Sequence, residues 1–399
     1  MRILMLSWEY PPFMVGGLGK HVAELLPELA AVGDDDIHLV TPVPTGEAGV
    51  ESAGGFTVHR IAVAGYPEGD FYQRAVYTND ILYSACLEIN TRYGPFELVH
   101  THDWLTSFAA ISYKHECKTP LLATIHATER GRGRGSLGSE MAYRVNDGEW
   151  RLAFESWRVI CCTQYMLHEL VDYLQTPEDK IDVIPNGVDP RPFQALDSVE
   201  INSLRARYAY PEEKLVFFVG RLVAEKGAEV LLRAAPTVLQ RMPNVRFVIA
   251  GRGPESSYLE RVIDELELRE HVTLAGFISD DDRNKLFKAT DCAVFPSLYE
   301  PFGIVALEAM AAQVPVVVSE VGGLREVVQH AETGITIYPN SPESCAWGIL
   351  HTLQHPEWAA IRVANAYKQV VSVFNWRTIA EQTRSVYQRI AVERSTTDW

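Results

Sequence analysis

The sequence predicts an α/β protein of two domains, each built on a parallel sheet covered on both faces. Three observations carry this. Apolar runs of strand length alternate with helical patterns along the whole chain. The alternation begins twice, the second time after Ile184-Pro185-Asn186-Gly187-Val188-Asp189-Pro190, a Pro-, Asn- and Gly-rich turn that reads as a boundary. Finally, 399 residues suit two or three domains, each large enough for its own core.

The first series opens with the apolar run 3–6. It ends in Trp8-Glu9-Tyr10-Pro11-Pro12 and Gly16-Gly17-Leu18-Gly19, and a helix follows with Val22, Leu25, Leu26 and Leu29 at helical spacing. Further strands are expected at 37–40, 58–63, 98–99, 121–125 and 159–162. The second series places strands at 215–219, 245–249, 272–274, 293–295 and 314–318. The tail, 376–392, reads as a helix. The domains are therefore set at 1–188 and at 189–375. Two Rossmann-like domains facing each other would collect the carboxyl ends of both sheets in one crevice, which is where open α/β sheets bind ligands.

Composition narrows the function. Asp plus Glu total 52 against 36 Lys plus Arg, a formal charge of −16. That excess of acid argues against nucleic acid or an anionic membrane as the main partner. Six cysteines, with no C-x-x-C and no zinc spacing, read as reduced thiols of a cytoplasmic protein. The run 3–6 is too short for a signal core or a membrane span. Oligomeric state, including a homo-oligomer, stays open.

The strongest local signal is Glu300-Pro301-Phe302-Gly303-Ile304-Val305-Ala306-Leu307-Glu308. It follows the strand at 293–295 and opens a helix over 304–312. The helix start offers free N–H groups and partial positive charge, which suit a phosphate. Glu300 and Glu308 can only accept hydrogen bonds when ionised, which suits sugar hydroxyls. Phosphate and sugar in one pocket mean a nucleotide or a nucleotide-sugar. The second signal is Gly220-Arg221-Leu222-Val223-Ala224-Glu225-Lys226-Gly227, where Arg221 and Lys226 leave one strand end and could clamp a diphosphate leaving group. The competing reading is two solvated surface cations.

Other motifs are read alongside plainer alternatives. Gly16-Gly17-Leu18-Gly19 fails as a dinucleotide fingerprint, because the third glycine position is Val22. It also fails as a Walker loop, because Met14 replaces the first glycine and His21 follows Lys20. It serves either a ligand or a tight turn. His126 ends the strand at 121–125 and can donate to a sugar hydroxyl. In His100-Thr101-His102-Asp103-Trp104, the two histidines are expected on opposite strand faces, against a shared metal site. Asp103 either meets a sugar or caps the helix beginning at Trp104. The runs Asp34–Asp36 and Asp280–Asp282 read as a loop ahead of a strand and a helix start, not as cation sites. Gly131-Arg132-Gly133-Arg134-Gly135 is either a mobile surface loop or a lid that reads an acceptor's anion.

Taken together, these residues resemble the GT-B glycosyltransferases of family 4, in the branch that is similar to glycogen and starch synthases. The resemblance covers nearly the whole chain. It rests on Glu9-Tyr10-Pro11-Pro12 with the glycine loop, His102-Asp103-Trp104, Thr124-Ile125-His126, Pro185-Asn186-Gly187-Val188-Asp189, Gly220-Arg221 with Glu225-Lys226-Gly227, Gly251-Arg252-Gly253-Pro254, and 300–308. It implies a GT-B fold with an interdomain cleft, a C-terminal helix over 376–399 that crosses back to the first domain at Trp376, retention of configuration and no metal or other cofactor. Arg221 and Lys226 would bind the donor diphosphate, with backbone N–H groups from Gly303, Ile304 and Val305. Glu308 would hold the ribose and Glu300 the transferred hexose. Gly276 and Phe277 would face the base. Gly17, Asp103 and His126 would serve the sugar and acceptor. One departure stands out: glycogen synthases of the bacterial-starch type carry Lys-x-Gly-Gly-Leu-Gly-Asp, and here Val15 and Lys20 take the Lys and Asp positions.

The expected activity is a retaining transfer of glucose from ADP-glucose or UDP-glucose to an α-glucan or a small sugar phosphate. Mannosyl or galactosyl transfer to an envelope or lipid-linked glycan is the enzyme alternative. A non-catalytic nucleotide-sugar sensor would require loss of Arg221, Lys226, Glu300 or Glu308, and all four are present. An NAD oxidoreductase is disfavoured by the missing third glycine.

Overall fold

The structure is a computed structural model that describes residues 1–14 and 16–397. Val15, one of the two positions of the loop departure, lies outside the described residues. The chain divides into two compact units: Met1–Asn186 together with the segment from Trp376 onward, and Gly187–Asn375. The division falls at Asn186, two residues before the position read from the sequence.

The first unit holds β1 (Arg2–Leu6), β2 (Asp36–Pro44), β3 (Gly49–Ala53), β4 (Phe56–Val63), β5 (Leu98–His102), β6 (Leu121–Ile125), β7 (Arg158–Cys161) and β8 (Ile181–Val183). They form one sheet in the order β3-β4-β2-β1-β5-β6-β7-β8. Every pairing is parallel except β3 with β4. Chain order reverses at β1, which lies between β2 and β5. The crevice beyond β1 and β5 is therefore a topological switch point.

The helix Gly17–Val32 buries Leu18, Val22, Leu25, Leu26 and Leu29 on one face. That face packs with Ile3, Met5, Ile37 and Leu39 of the sheet and with Trp376, Ile379, Tyr387 and Ile390 of the last helix, Trp376–Ser395. Each fully buried leucine or isoleucine contributes about 1.5–3 kcal/mol by leaving water. Trp376 Nε1 also donates to Glu24 Oε2 at 2.5 Å. The C-terminal helix thus belongs to the first unit's core.

The second unit holds β9 (Lys214–Val219), β10 (Val245–Ala250), β11 (Val272–Gly276), β12 (Cys292–Phe295), β13 (Val316–Ser319) and β14 (Ile335–Ile337). All pairings are parallel, in the order β11-β10-β9-β12-β13-β14. Here β9 is the switch strand, flanked by β10 and β12. The helix Ala228–Arg241 packs Leu231, Leu232, Ala235 and Val238 into a core with Val216, Phe218, Phe247 and Ile249.

Three strands were absent from the sequence reading. β3 is an exposed edge strand with little apolar content, and β8 and β14 are three residues each. None is long enough or apolar enough to leave a pattern. Asp35 lies in the loop ahead of β2, as read from the sequence. It is buried, accepts from the Met1 amino group at 2.8 Å and from Arg384 Nε at 2.7 Å, and its carboxyl is held below the usual range despite burial. The second acidic run behaves as expected: Ser279 caps the helix Asp280–Ala289 by accepting from Asp282 N. No described helix is long and apolar enough to cross a membrane.

Candidate active site

In the second unit the candidate residues gather at the carboxyl ends of the switch strand β9 and its neighbour β12. The turn Ala224–Lys226 after β9 docks on the loop after β12: Leu298 N and Tyr299 N donate to Glu225 O at 2.7 and 3.3 Å. Gly227 makes this docking possible. Its φ is +67°, and a Cβ there would lie 2.0 Å from Pro296 O. The result is an ion pair between Lys226 Nζ and Glu300 Oε2 at 2.7 Å, with Glu300 only 7% exposed. Ser297 Oγ donates to the same Glu300 oxygen at 3.4 Å. Arg221 is half exposed and pairs with Glu225 Oε1 at 2.9 Å. Both predicted cations therefore leave the same strand end, and each is held by a carboxylate.

Gly303 precedes the helix Ile304–Ala311 with φ +108°, a conformation that disfavours any side chain. The first bonds of that helix run from Ala306 N and Leu307 N to Gly303 O. The N–H groups of Gly303, Ile304 and Val305 come before them, at the positive end of the helix. Glu308 sits one turn further, buried, with Arg283 Nη2 3.4 Å from its carboxylate. Gly276 closes β11 with φ +65°, and Phe277 after it is 69% exposed. The Arg252 guanidinium lies 5.5 Å from the centre of the Phe277 ring. A cation beside an exposed aromatic face is a platform for a flat, polarisable group. The sequence reading quoted Arg252 only within a family motif, with no role, and did not mention Arg283, since only the fold brings them to Phe277 and Glu308.

In the first unit the site lies beyond β1, β5 and β6. Gly17 is the first residue of its helix, and Glu9, from the loop after β1, accepts from Gly16 N at 3.0 Å. Asp103 follows β5 with φ +58°. Its carboxylate makes no capping bond to the helical turn Trp104–Thr106, so the cap reading falls. Instead it accepts from His126 N at 2.7 Å and ties the end of β6 to the end of β5. Burial raises its pKa to about 6.

His126 lies in a cluster. Ring centroids of His21 and His126 are 4.7 Å apart, those of His21 and His102 5.4 Å, and those of His102 and His126 5.5 Å. Burial holds all of them neutral, with His126 at about 4 and His100 at about 3, and His21 and His102 well below the ordinary value. His100 and His102 were expected on opposite faces. Their rings lie 4.5 Å apart, because residues two apart share a face of a strand. One ring nitrogen from each of His21, His102 and His126 lies within 4.8 Å of the others. The sequence reading assigned no metal ligand, yet this set has the donor chemistry for one.

The basic segment begins in a helical turn and continues as an exposed turn over 133–135. Glu129–Arg132 is a helical turn, capped by Thr128, whose Oγ1 accepts from Gly131 N at 2.9 Å. Glu149, from the helix Glu140–Glu155, accepts from Glu129 N at 2.9 Å. Burial raises the Glu149 pKa to about 8, while the Arg132 charge pulls both Glu149 and Asp103 back down. Arg132 therefore acts on the Asp103 end of the site, whereas Arg134 is exposed with φ +50°. Sequence reasoning missed Glu149, which is polar, mid-helix and without a motif.

Comparisons with known proteins bear on the family and the fold. The family described as "Glycosyl transferases group 1" matches residues 201–369, and "Glycosyltransferase Family 4" matches residues 15–191. An uncharacterized glycosyltransferase of Methanocaldococcus jannaschii is 39% identical over 98% of this chain and 99% of its own length. A glycogen synthase of Mycobacterium tuberculosis is 34% identical over 97% of this chain and 94% of its own. The solved sucrose-phosphate synthase of Thermosynechococcus elongatus has a TM-score of 0.84 at 24% identity, covering 98% of this chain and 99% of that one. Two parallel-sheet α/β units, a cation-and-carboxylate site at the second switch strand and full-length relatives at this identity place the chain in family 4, group 1, of the GT-B glycosyltransferases.

Proposed function

We propose that the protein is a retaining glucosyltransferase. It moves glucose from ADP-glucose or UDP-glucose to an α-glucan or a small sugar phosphate, and it needs no metal. The observation that carries the reading is the Lys226–Glu300 pair at 2.7 Å, with Glu300 three residues before Gly303 at the start of the helix that carries buried Glu308. In that frame Arg221, Lys226 and the N–H groups of Gly303, Ile304 and Val305 hold the diphosphate. They stabilise the charge that develops as the bond from C1 to the diphosphate oxygen breaks. The acceptor oxygen attacks C1 from the same face, and its proton passes to the departing phosphate oxygen. Two fixed cations and a helix dipole supply the positive charge that a divalent ion supplies elsewhere.

Glu308 accepts from the ribose hydroxyls, Glu300 positions the hexose, and Phe277 with Arg252 meets the base. In the first unit, Gly17, Asp103 and His126 serve the sugar and the acceptor, with His126 donating to a hydroxyl. The glucan and sugar-phosphate acceptors are supported by the glycogen synthase and sucrose-phosphate synthase likenesses. Six free cysteines support work in the reducing cytoplasm.

The test is a matrix of ADP-, UDP- and GDP-hexose donors against glycogen, maltooligosaccharides, glucose 1-phosphate and fructose 6-phosphate. Products are read by mass spectrometry, in chelator. Glucosyl transfer with α-configuration is expected. Transfer from mannosyl or galactosyl donors alone, an inverted product, or activity abolished by chelation would overturn the reading.

A further inference from the structure

We propose that His21, His102 and His126 form a binding site for a divalent transition metal of the zinc class, and that filling it silences the enzyme. The site is built from three places in the chain: the helix Gly17–Val32, the end of β5 and the residue after β6. Three imidazoles converging from separate elements match the protein ligand set of an open zinc site, with the fourth position left to water or a hydroxyl.

Two buried nitrogens bear on the site, and the one on His21 points to a missing ligand. His21 is 5% exposed and His102 is fully buried, and the Nε2 atom of each has no hydrogen-bond partner. A buried polar atom without a partner is costly and rare. For His21 the tautomer follows from chemistry. Its Nδ1 faces the Asn186 side-chain oxygen at 2.6 Å, and an oxygen there can only accept. Nδ1 therefore carries the hydrogen and Nε2 presents a lone pair. A carbonyl that fixes the far nitrogen in this way is what orients a metal-binding histidine.

The other two rings complete the set. His102 Nδ1 and His126 Nε2 face each other at 3.2 Å. Tetrahedral ligands about 2.0–2.1 Å from zinc are separated by roughly 3.3 Å, so this pair is already spaced for coordination. At most one proton lies between these nitrogens. Moving it to the unpartnered His102 Nε2 frees both lone pairs without any net proton release. His100 is excluded as a ligand, since Tyr387 Oη and Thr124 Oγ1 occupy its two nitrogens at 2.9 and 2.8 Å.

The silencing half of the proposal rests on the proposed role of His126 in holding a sugar hydroxyl. A metal on its Nε2 takes the atom that would make that contact. The transfer itself needs no metal, so zinc would act only as an inhibitor.

The test uses the full chain, stripped of metal and titrated with Co²⁺ as a spectroscopic stand-in. One equivalent should give the visible bands of four-coordinate Co²⁺, which Zn²⁺ then displaces. His21→Ala and His102→Ala should lose the bands, whereas the double variant H351A/H355A, on the second unit, should keep them. Because buried histidine variants can misfold, wild-type melting provides a second measurement: Zn²⁺ should raise the Tm saturably and Mg²⁺ should not. Zn²⁺ should also inhibit transfer at least tenfold, with full recovery in chelator. Absent bands, bands that survive His21→Ala, or bands lost in H351A/H355A would overturn the site. If the bands appear and Zn²⁺ leaves transfer untouched, the silencing half falls. If no donor supports transfer at all, the proposed activity fails while the Co²⁺ result stands on its own.

Discussion

Replacing Glu149 with Gln should make the protein's stability less sensitive to alkaline pH. Burial raises the Glu149 pKa from 4.5 to about 8, so the folded protein keeps a proton that the unfolded chain releases. A raised carboxyl contributes stability that is fully present below about pH 4.5 and is lost as pH rises through about 8. Proton linkage with those two values gives about 2 kcal/mol at about pH 6.5 and about 0.2 kcal/mol at about pH 8.5. The loss of about 2 kcal/mol corresponds to a fall of about 4–8 °C in Tm for a domain of this size. Lys180 works the other way. Burial lowers its pKa from 10.5 to about 8, so it adds stability as pH rises from about 8 towards 10.5, above the Glu149 window. Subtracting the melting curves of Glu149→Gln from those of wild type, at each pH, cancels Lys180 and isolates Glu149. The Gln side-chain oxygen can still accept from Glu129 N, so the turn carrying Arg132 should stay in place and activity near pH 7 should persist. Parallel Tm–pH curves for the two proteins would refute the reasoning, because they would mean that Glu149 is already ionised in the folded state.

Three further predictions concern the second unit. Lys226→Ala should lower kcat by about 10²–10³-fold, as expected for one lost contact to a charged leaving group, and should also destabilise the protein by leaving buried Glu300 unpaired. Steady-state kinetics with thermal melting separates the two effects, and Lys226→Ala/Glu300→Gln should recover stability but not rate. Phe277→Ala should raise the donor KM by about 5–10-fold through lost base stacking, with Tm unchanged because the ring is exposed. An unchanged KM would remove Phe277 from the base site. Glu308→Gln should raise the KM for the ribonucleotide donor about tenfold and shrink discrimination against a 2′-deoxyribose donor, read by competition kinetics. Equal discrimination in both proteins would separate Glu308 from the ribose.

The parts of this chain that were legible in the sequence are those where one strand end carries its own chemistry. β6 was read to the residue because 121–125 is a closed apolar run with His126 after it. The element from Glu300 to Glu308 was legible because a strand, a Pro-Phe-Gly turn and a helix start lie within a few residues of each other. The pairing of Lys226 with Glu300 was not legible, since it depends on β9 and β12 being neighbours across 74 positions of sequence. The histidine cluster was hidden for the same reason and for one more. His21 was read only as a departure from a phosphate loop, and Asn186 only as part of a boundary and a family motif, yet their contact at 2.6 Å sets the tautomer of His21. Each residue had a sufficient local explanation, so nothing in the local pattern called for a second one. The histidines become informative only when unpaired nitrogens are counted in three dimensions. An imidazole lone pair buried without a donor is a cost that local sequence rules do not register and that a bound cation would relieve. The same count applied to Glu149 gives the opposite result: its carboxylate accepts from Glu129 N and still keeps its proton near pH 7 because burial outweighs that bond. Burial therefore sets the protonation of both groups, leaving neutral bases at β5 and β6 and a neutral acid beneath the basic turn.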